Sequence, residues 1–339
     1  MATLRIGSRP SALALAQAAL VRSELAALMP SVEIEIVPIR TSGDKLGSAA
    51  LAQVGGKGLF VKELEQALAE RRIDLAVHSM KDLPAVAAPG MEIAAVPERA
   101  DARDALLMRA AGGGAHQQPA PGIPAADAMP AAQALAPLAR GARLGTSSPR
   151  RRFEALRIRA DLDVGALRGN VDTRLGRLVA GDFDAIILAM AGLARLARAR
   201  PAGVTLFPLD ERDFVPAGGQ GALAVEARAG EPLGGSAELA AALARLDDAR
   251  ARREVSAERG FLAALGASCV SPVGVRARLD NGVLNVRALV FSVDGARHLA
   301  DELSEARAAD ASPARAAEAG ARLARRMLER GGRELLGDG

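Results

Sequence analysis

The chain contains no tryptophan and no tyrosine, seven phenylalanines, three histidines and one cysteine in 339 residues. Each scarcity removes a class of function. Without aromatic platforms, single-stranded nucleic-acid binding by base stacking is disfavoured, although a formal charge of +4 would allow phosphate contacts. A lone thiol, Cys269, excludes an intrachain disulfide and supplies too few sulfurs for a structural zinc or iron–sulfur site. The histidines stand at no metal-ligand spacing, so no metal is expected. No run approaches the ~18 apolar residues of a membrane span, and the first residues lack the charged and apolar regions of an export signal. These absences make a soluble cytoplasmic protein the expectation, with no membrane partner.

What is present is aliphatic and rhythmic. Half the residues are apolar, so the cores must be built from Ala, Leu, Val and Ile. Strand and helix signals alternate over the first hundred residues: strand at Leu4–Gly7, helix at Ser11–Leu28, strand at Val32–Ile39, helix at Leu59–Arg71, strand at Ile73–Val77. A glycine-rich loop, 43 to 58, interrupts this block without the Walker spacing, so a mobile lid is expected in place of a nucleotide cradle. A charged run at 98 to 104 marks a boundary. Residues 111 to 141 show little periodicity and are expected to form a surface insertion. A second block repeats the first: strand at Ala142–Gly145, helix at Pro149–Arg159, strand at Val164–Leu167, helix at Val171–Ala180, strand at Ala185–Ala189. Two such blocks predict two lobes around a ligand cleft. From about residue 236 two helices, turns at Asp280-Asn281-Gly282 and Asp294-Gly295, and a final helix from Pro313 predict a small α+β domain.

The segment Val77-His78-Ser79-Met80-Lys81-Asp82-Leu83-Pro84 ends a strand-like run with an acid beside a lysine. In open α/β sheets the strand ends line the ligand crevice, which places Asp82 for chemistry. On this segment alone a solvated turn before proline is the commoner outcome. The second block puts arginines at equivalent positions, in Gly145-Thr146-Ser147-Ser148-Pro149-Arg150-Arg151-Arg152 and Leu167-Arg168-Gly169-Asn170-Val171-Asp172-Thr173-Arg174. Helix amides, hydroxyls and guanidinium forks converge there, which suits carboxylate or phosphate. Either segment alone is equally a solvated basic face. Their recurrence at two strand ends favours a small molecule carrying several carboxylates.

Read in order, Ser8 to Ala14, Val54 to Phe60, Val77 to Asp82, Gly145 to Arg151, Leu167 to Arg174, Pro216 to Gly221, and the cysteine loop followed by Pro272-Val273-Gly274 resemble the hydroxymethylbilane synthase (porphobilinogen deaminase) family along nearly the whole chain. The resemblance implies an α/β fold. Two periplasmic-binding-protein-like (type II) lobes surround a cleft, beside a smaller α+β C-terminal domain. The expected boundaries are 1–100 with 222–238 for lobe 1, 104–216 for lobe 2 including the 111–141 insertion, and 242–339 for the cofactor-attachment domain. It also implies a transferase that joins four porphobilinogens into hydroxymethylbilane, acting as a monomer without nucleic acid.

By the same resemblance, Cys269 carries a dipyrromethane cofactor through a thioether, a bond a thiolate can form with an electrophilic methylene. A lone cysteine is otherwise more often an inert buried residue. Asp82 becomes the general acid and base and a cofactor contact. Lys81, Ser79, Thr146, Ser148, Arg150 and Arg151 are implied to hold the cofactor. Arg9, Ser11, Arg168, Arg174 and Arg195 are implied to hold the substrate, with Lys57 and Phe60 on the lid. Arg152 lacks motif support and is expected on the helix surface. The chain departs from the family where Ala267-Ser268-Cys269-Val270 replaces a Gly-Gly-Cys-Gln pattern and Gln53 replaces a lysine. A non-enzymatic two-lobe binding protein for a polycarboxylate is the alternative, and a basic nucleic-acid module a weaker third.

Overall fold

A computed structural model describes residues 3–45, 61–109, 127–196, 201–230, 237–268, 271–306 and 312–337. The first unit comprises β1 (Thr3–Ser8), α1 (Ala12–Leu28), β2 (Glu33–Pro38), α2 (Ser42–Lys45), α3 (Lys62–Ala69), β3 (Leu75–Ser79) and β4 (Met91–Ala95). The chain then crosses to the second unit: β5 (Asp104–Arg109), α4 (Ala131–Leu135), β6 (Arg143–Gly145), α5 (Pro149–Ile158), β7 (Asp163–Gly165), α6 (Val171–Val179), β8 (Ala185–Ala189), α7 (Met190–Arg195) and β9 (Val204–Pro208). It returns with β10 (Leu223–Arg228), then runs through α8 (Ala237–Leu246), α9 (Ala249–Leu265), β11 (Val273–Asp280), β12 (Val283–Phe291), β13 (His298–Glu305) and α10 (Pro313–Met327).

Two five-stranded sheets share one plan, β2-β1-β3-β10-β4 and β7-β6-β8-β5-β9. In each, three strands run parallel and the fourth is antiparallel. That fourth strand is the one that has just crossed from the other lobe: β5 enters lobe 2 and β10 re-enters lobe 1. The parallel strands are linked by helices because a parallel pair requires a crossover, and α1 packs its Ala18, Val21 and Leu25 under β1 and β3. The periodic elements lie within a few residues of their expected spans. Strands β4, β5, β9 and β10 were not anticipated. The central pair, β5 and β10, is buried on both faces and so lacks the alternation that betrays a half-exposed strand.

The expected surface insertion at 111–141 is corrected over its described part. Met129 bridges to Leu209, and α4 sinks Ala131, Ala134 and Leu135 into the lobe 2 core. An alanine-rich helix of five residues is too short to show a period. Residues 111–126 of that stretch lie outside the described residues.

The third unit is a three-stranded antiparallel meander, β11-β12-β13, backed by α9 and α10. Asn281 and Gly282 both adopt positive φ, as a two-residue hairpin turn of matching twist requires. Its core joins Phe261, Val275, Val286 and Leu323. Among the described residues no helix is long and apolar enough to cross a membrane.

Candidate active site

Asp82 closes a 3₁₀ turn, Met80–Asp82, that leaves the end of β3. The turn is fixed from beneath, since Met80 and Leu83 are buried and the Leu83 amide returns to the Met80 carbonyl. The carboxylate is left exposed and has no hydrogen-bond partner among the described residues. Lys81 points the other way, into the junction between the lobes, where Nζ donates to Gln220 Oε1 at 3.2 Å. Burial, reinforced by Arg151, pulls the Lys81 ammonium down to about 8.

Across the junction, α5 begins at Pro149 behind Ser148, whose hydroxyl caps the helix at the Arg151 amide. Arg150 and Arg151 share the carboxylate of Asp104, the first residue of β5, at 2.8 and 2.7 Å. Burial alone would raise Asp104, yet the two guanidiniums hold it down to about 2. Glu154 also accepts from Arg150, at 3.0 Å, but burial outweighs that contact and pushes its carboxyl up to about 8. The expectation that both arginines present open forks to a ligand is therefore corrected. Arg150 is only 4% exposed and further tied to the Val215 carbonyl, and Arg151 is 7% exposed and tied to the Ile187 carbonyl. A helix this close to a buried acid uses its arginines inwardly first. One ionised carboxylate against two guanidiniums and the Lys81 ammonium still leaves a positive surplus at the junction.

The remaining cations have fewer acidic partners. Arg168, on the loop after β7, has no hydrogen-bond partner among the described residues. Arg174 on α6 donates Nε to the Gly169 carbonyl at 2.8 Å, and burial lowers its pKa, with Arg151 adding to the effect. Arg195 ends α7 and donates to the Gly221 carbonyl at 2.6 Å, while burial pulls it down to about 10. A partly buried guanidinium facing only a carbonyl dipole is poised for an anion. Arg9, after β1, differs: its Nε donates to Asp44 at 3.2 Å, and Asp44 is itself held by the Thr41 hydroxyl at 2.8 Å.

Among the hydroxyls, Ser11 caps α1, Ser79 meets the buried Gln17 at 2.8 Å, and Thr146 accepts from the Ser148 amide at 3.2 Å. Arg152 is exposed, as expected. Lys57, Phe60 and Cys269 lie outside the described residues. The ends of the cysteine loop are described. Gly266 terminates α9 in the left-handed region, Ser268 and Ser271 bond each other across the loop, and Val275 bonds the Pro216 carbonyl of the segment returning to lobe 1.

Sequence reasoning missed Asp104, Glu154, Gln17 and Gln220. Gln220 sat in a motif that carried resemblance but no assigned chemistry, and Asp104 sat in a charged run that reads as a boundary. Among the described residues no cluster of histidine, cysteine or carboxylate side chains is suited to a metal.

Comparison with known proteins fits this geometry. The family described as "Porphobilinogen deaminase, dipyromethane cofactor binding domain" matches residues 4–233, and "Porphobilinogen deaminase, C-terminal domain" matches 252–329. Porphobilinogen deaminase of Syntrophobacter fumaroxidans is 41% identical over 98% of this chain and 96% of its own length. That of Syntrophotalea carbinolica is 42% identical over 98% and 95%. Among solved structures, the effector-binding domain of BenM with benzoate aligns at 17% identity over 70% of this chain and 86% of that one, with a TM-score of 0.38, too low to carry an argument.

Proposed function

Since the chain belongs to the porphobilinogen deaminase family, and is a hydroxymethylbilane synthase that condenses four porphobilinogens head to tail with release of ammonia in tetrapyrrole biosynthesis, we propose that Asp82 is its general acid and base. The observation that carries this is an exposed carboxylate at a strand end, beside the buried Lys81 and with no hydrogen-bond partner among the described residues. As general acid, Asp82 protonates the departing aminomethyl nitrogen, and its charge then steadies the cation that develops on the substrate methylene. As general base it accepts the proton lost from the pyrrole carbon once the new carbon–carbon bond has formed.

The dipyrromethane cofactor of the family carries two carboxylates on each ring, and the donor set here suits such a group. Among the described residues Arg174 and Arg195 are partly buried cations held by backbone carbonyls, and Arg168 has no hydrogen-bond partner. When bound, the cofactor supplies the pyrrole carbon from which the product grows. We assign its attachment to Cys269, the only thiol in the chain, on the loop that follows α9. Lys81, Ser79, Thr146 and Ser148 would line its carboxylates, with Lys81 also serving those of the incoming substrate, and Arg150 and Arg151 fix α5 against Asp104 behind them. Arg9, Ser11, Arg168, Arg174 and Arg195 receive the incoming substrate, and Lys57 and Phe60 belong to the lid.

One chain supplies the acid, the cations and the thiol, which supports a monomer acting without nucleic acid or membrane. A thioether made from a free thiolate supports a reducing, cytoplasmic setting. The non-enzymatic binding reading has no use for Asp82 or Cys269 and is set aside. Intact mass tests the assignment: the wild-type chain should exceed its calculated mass by two linked pyrrole units and Cys269→Ser should not. An unmodified wild-type chain after incubation with porphobilinogen refutes it.

A further inference from the structure

Gln220 is 1% exposed and lies where the returning chain passes between the lobes. Every hydrogen-bonding position of its amide is used. Oε1 accepts from Lys81 Nζ at 3.2 Å and from Arg151 Nη2 at 3.3 Å. Nε2 donates to the Ala102 carbonyl at 2.8 Å and to Asp104 Oδ1 at 2.9 Å. Its own carbonyl accepts from Arg99, which Glu258 anchors from α9. The flanking glycines make this approach feasible. Gly219 and Gly221 both have positive φ, and a Cβ on Gly221 would stand 2.3 Å from the Ala100 carbonyl oxygen.

We infer that Gln220 is a positioning residue for the reaction: its neutral amide separates the Lys81 ammonium from the Asp104 carboxylate, so that Lys81 keeps its charge available to the carboxylates of cofactor and substrate. This rests on the reading of the site given above. Without the amide, Lys81 and Asp104 attract one another across a buried gap and form a direct ion pair, which withdraws the cation from the cleft. A glutamine amide accepts from both cations through its oxygen while its nitrogen donates to the anion and to a backbone carbonyl. A glutamate would accept from Lys81 and Arg151 but set a second carboxylate against Asp104. A leucine would offer neither contact.

The test uses Gln220→Glu, nearly isosteric, and Gln220→Leu in the full chain. In the holoenzyme, both should raise KM for porphobilinogen about 10-fold or more while lowering kcat less. A second readout needs no turnover: pH-dependent amine labelling of Lys81, read by peptide mass, in the Cys269→Ser background where no cofactor can attach. The labelling midpoint, expected near 8 in that background, should rise by about one unit or more with Gln220→Glu as the lysine gains an anionic partner. An unmoved midpoint together with a wild-type KM overturns the inference. If the wild-type chain makes no product, the site reading has failed instead, and the labelling midpoint alone decides the role of Gln220. Should Gln220→Leu fail to fold, Gln220→Glu carries both measurements.

Discussion

Replacing Asp104 with asparagine should be the most destabilising single-atom exchange in the molecule's interior. The carboxylate is fully buried, accepts from Arg151 and Gln220, forms an ion pair with Arg150, and binds the first residue of β5 to the first turn of α5. Asparagine fits the same volume but leaves two guanidiniums without a counter-charge in a water-poor setting. Breaking a buried pair by removing one partner costs on the order of 3–5 kcal/mol. The carboxyl itself gives a lower bound, because holding it at about 2 against an ordinary 3.8 corresponds to about 2 kcal/mol of linkage. The sign follows from the lowered value: the contribution is complete above pH 3.8 and is lost as pH falls through about 2. Chemical denaturation followed by circular dichroism should therefore show Asp104→Asn losing about 2–5 kcal/mol by the same arguments, constant between pH 5 and 8. A loss below about 1 kcal/mol would refute the view that this carboxylate holds the cluster together.

Other perturbations separate chemistry from stability. Asp82→Asn should leave the unfolding midpoint unchanged, because the side chain is exposed, and slow single-turnover addition of porphobilinogen by about 10²–10⁴-fold; a near-normal rate would remove Asp82 from the acid–base role. Arg195→Ala should weaken substrate binding yet leave thermal stability equal or higher, since it deletes a partly buried cation with no carboxylate partner among the described residues; a clear drop in melting temperature would show the Gly221 contact to be structural. Glu154→Gln addresses the opposite pH range. The folded carboxyl titrates at about 8, above its ordinary 4.5, so the wild type loses this contribution as pH rises through 8. The variant should match wild type at low pH and melt higher than wild type above pH 8, and parallel melting curves across that range would contradict the raised value.

The parallel strands and their helices were legible because each shows its own period. Ser11, Ser148 and Asn170 all cap helices at positions the side chains announce. The place of Asp82 at a strand end was legible because an acid beside a lysine terminates a clear apolar strand. The antiparallel strands β5 and β10 were not, because burial on both faces erases alternation. The inward use of Arg150 and Arg151 was hidden for a different reason. Their partner Asp104 lies far away in sequence, and nothing local distinguishes an arginine that greets a ligand from one that neutralises a buried acid. Gln220 was hidden likewise, since its importance comes from contacts to residues 81, 102, 104 and 151 that only the folded chain assembles.

The returning strand also has a consequence for biosynthesis. β10 lies between β3 and β4, yet about 130 residues separate it from β4 in the chain, and the whole of lobe 2 falls in that interval. As the polypeptide emerges from the ribosome, lobe 2 can finish its own sheet while the first lobe still lacks a central strand. The inner edges of β3 and β4 stay open until Arg228 has left the exit tunnel, and open apolar edges are where misassembly begins. The amino-terminal half of the enzyme is thus the last of the two lobes to become native, and a nascent chain stalled between residues 110 and 222 should engage chaperones more than one stalled past 230.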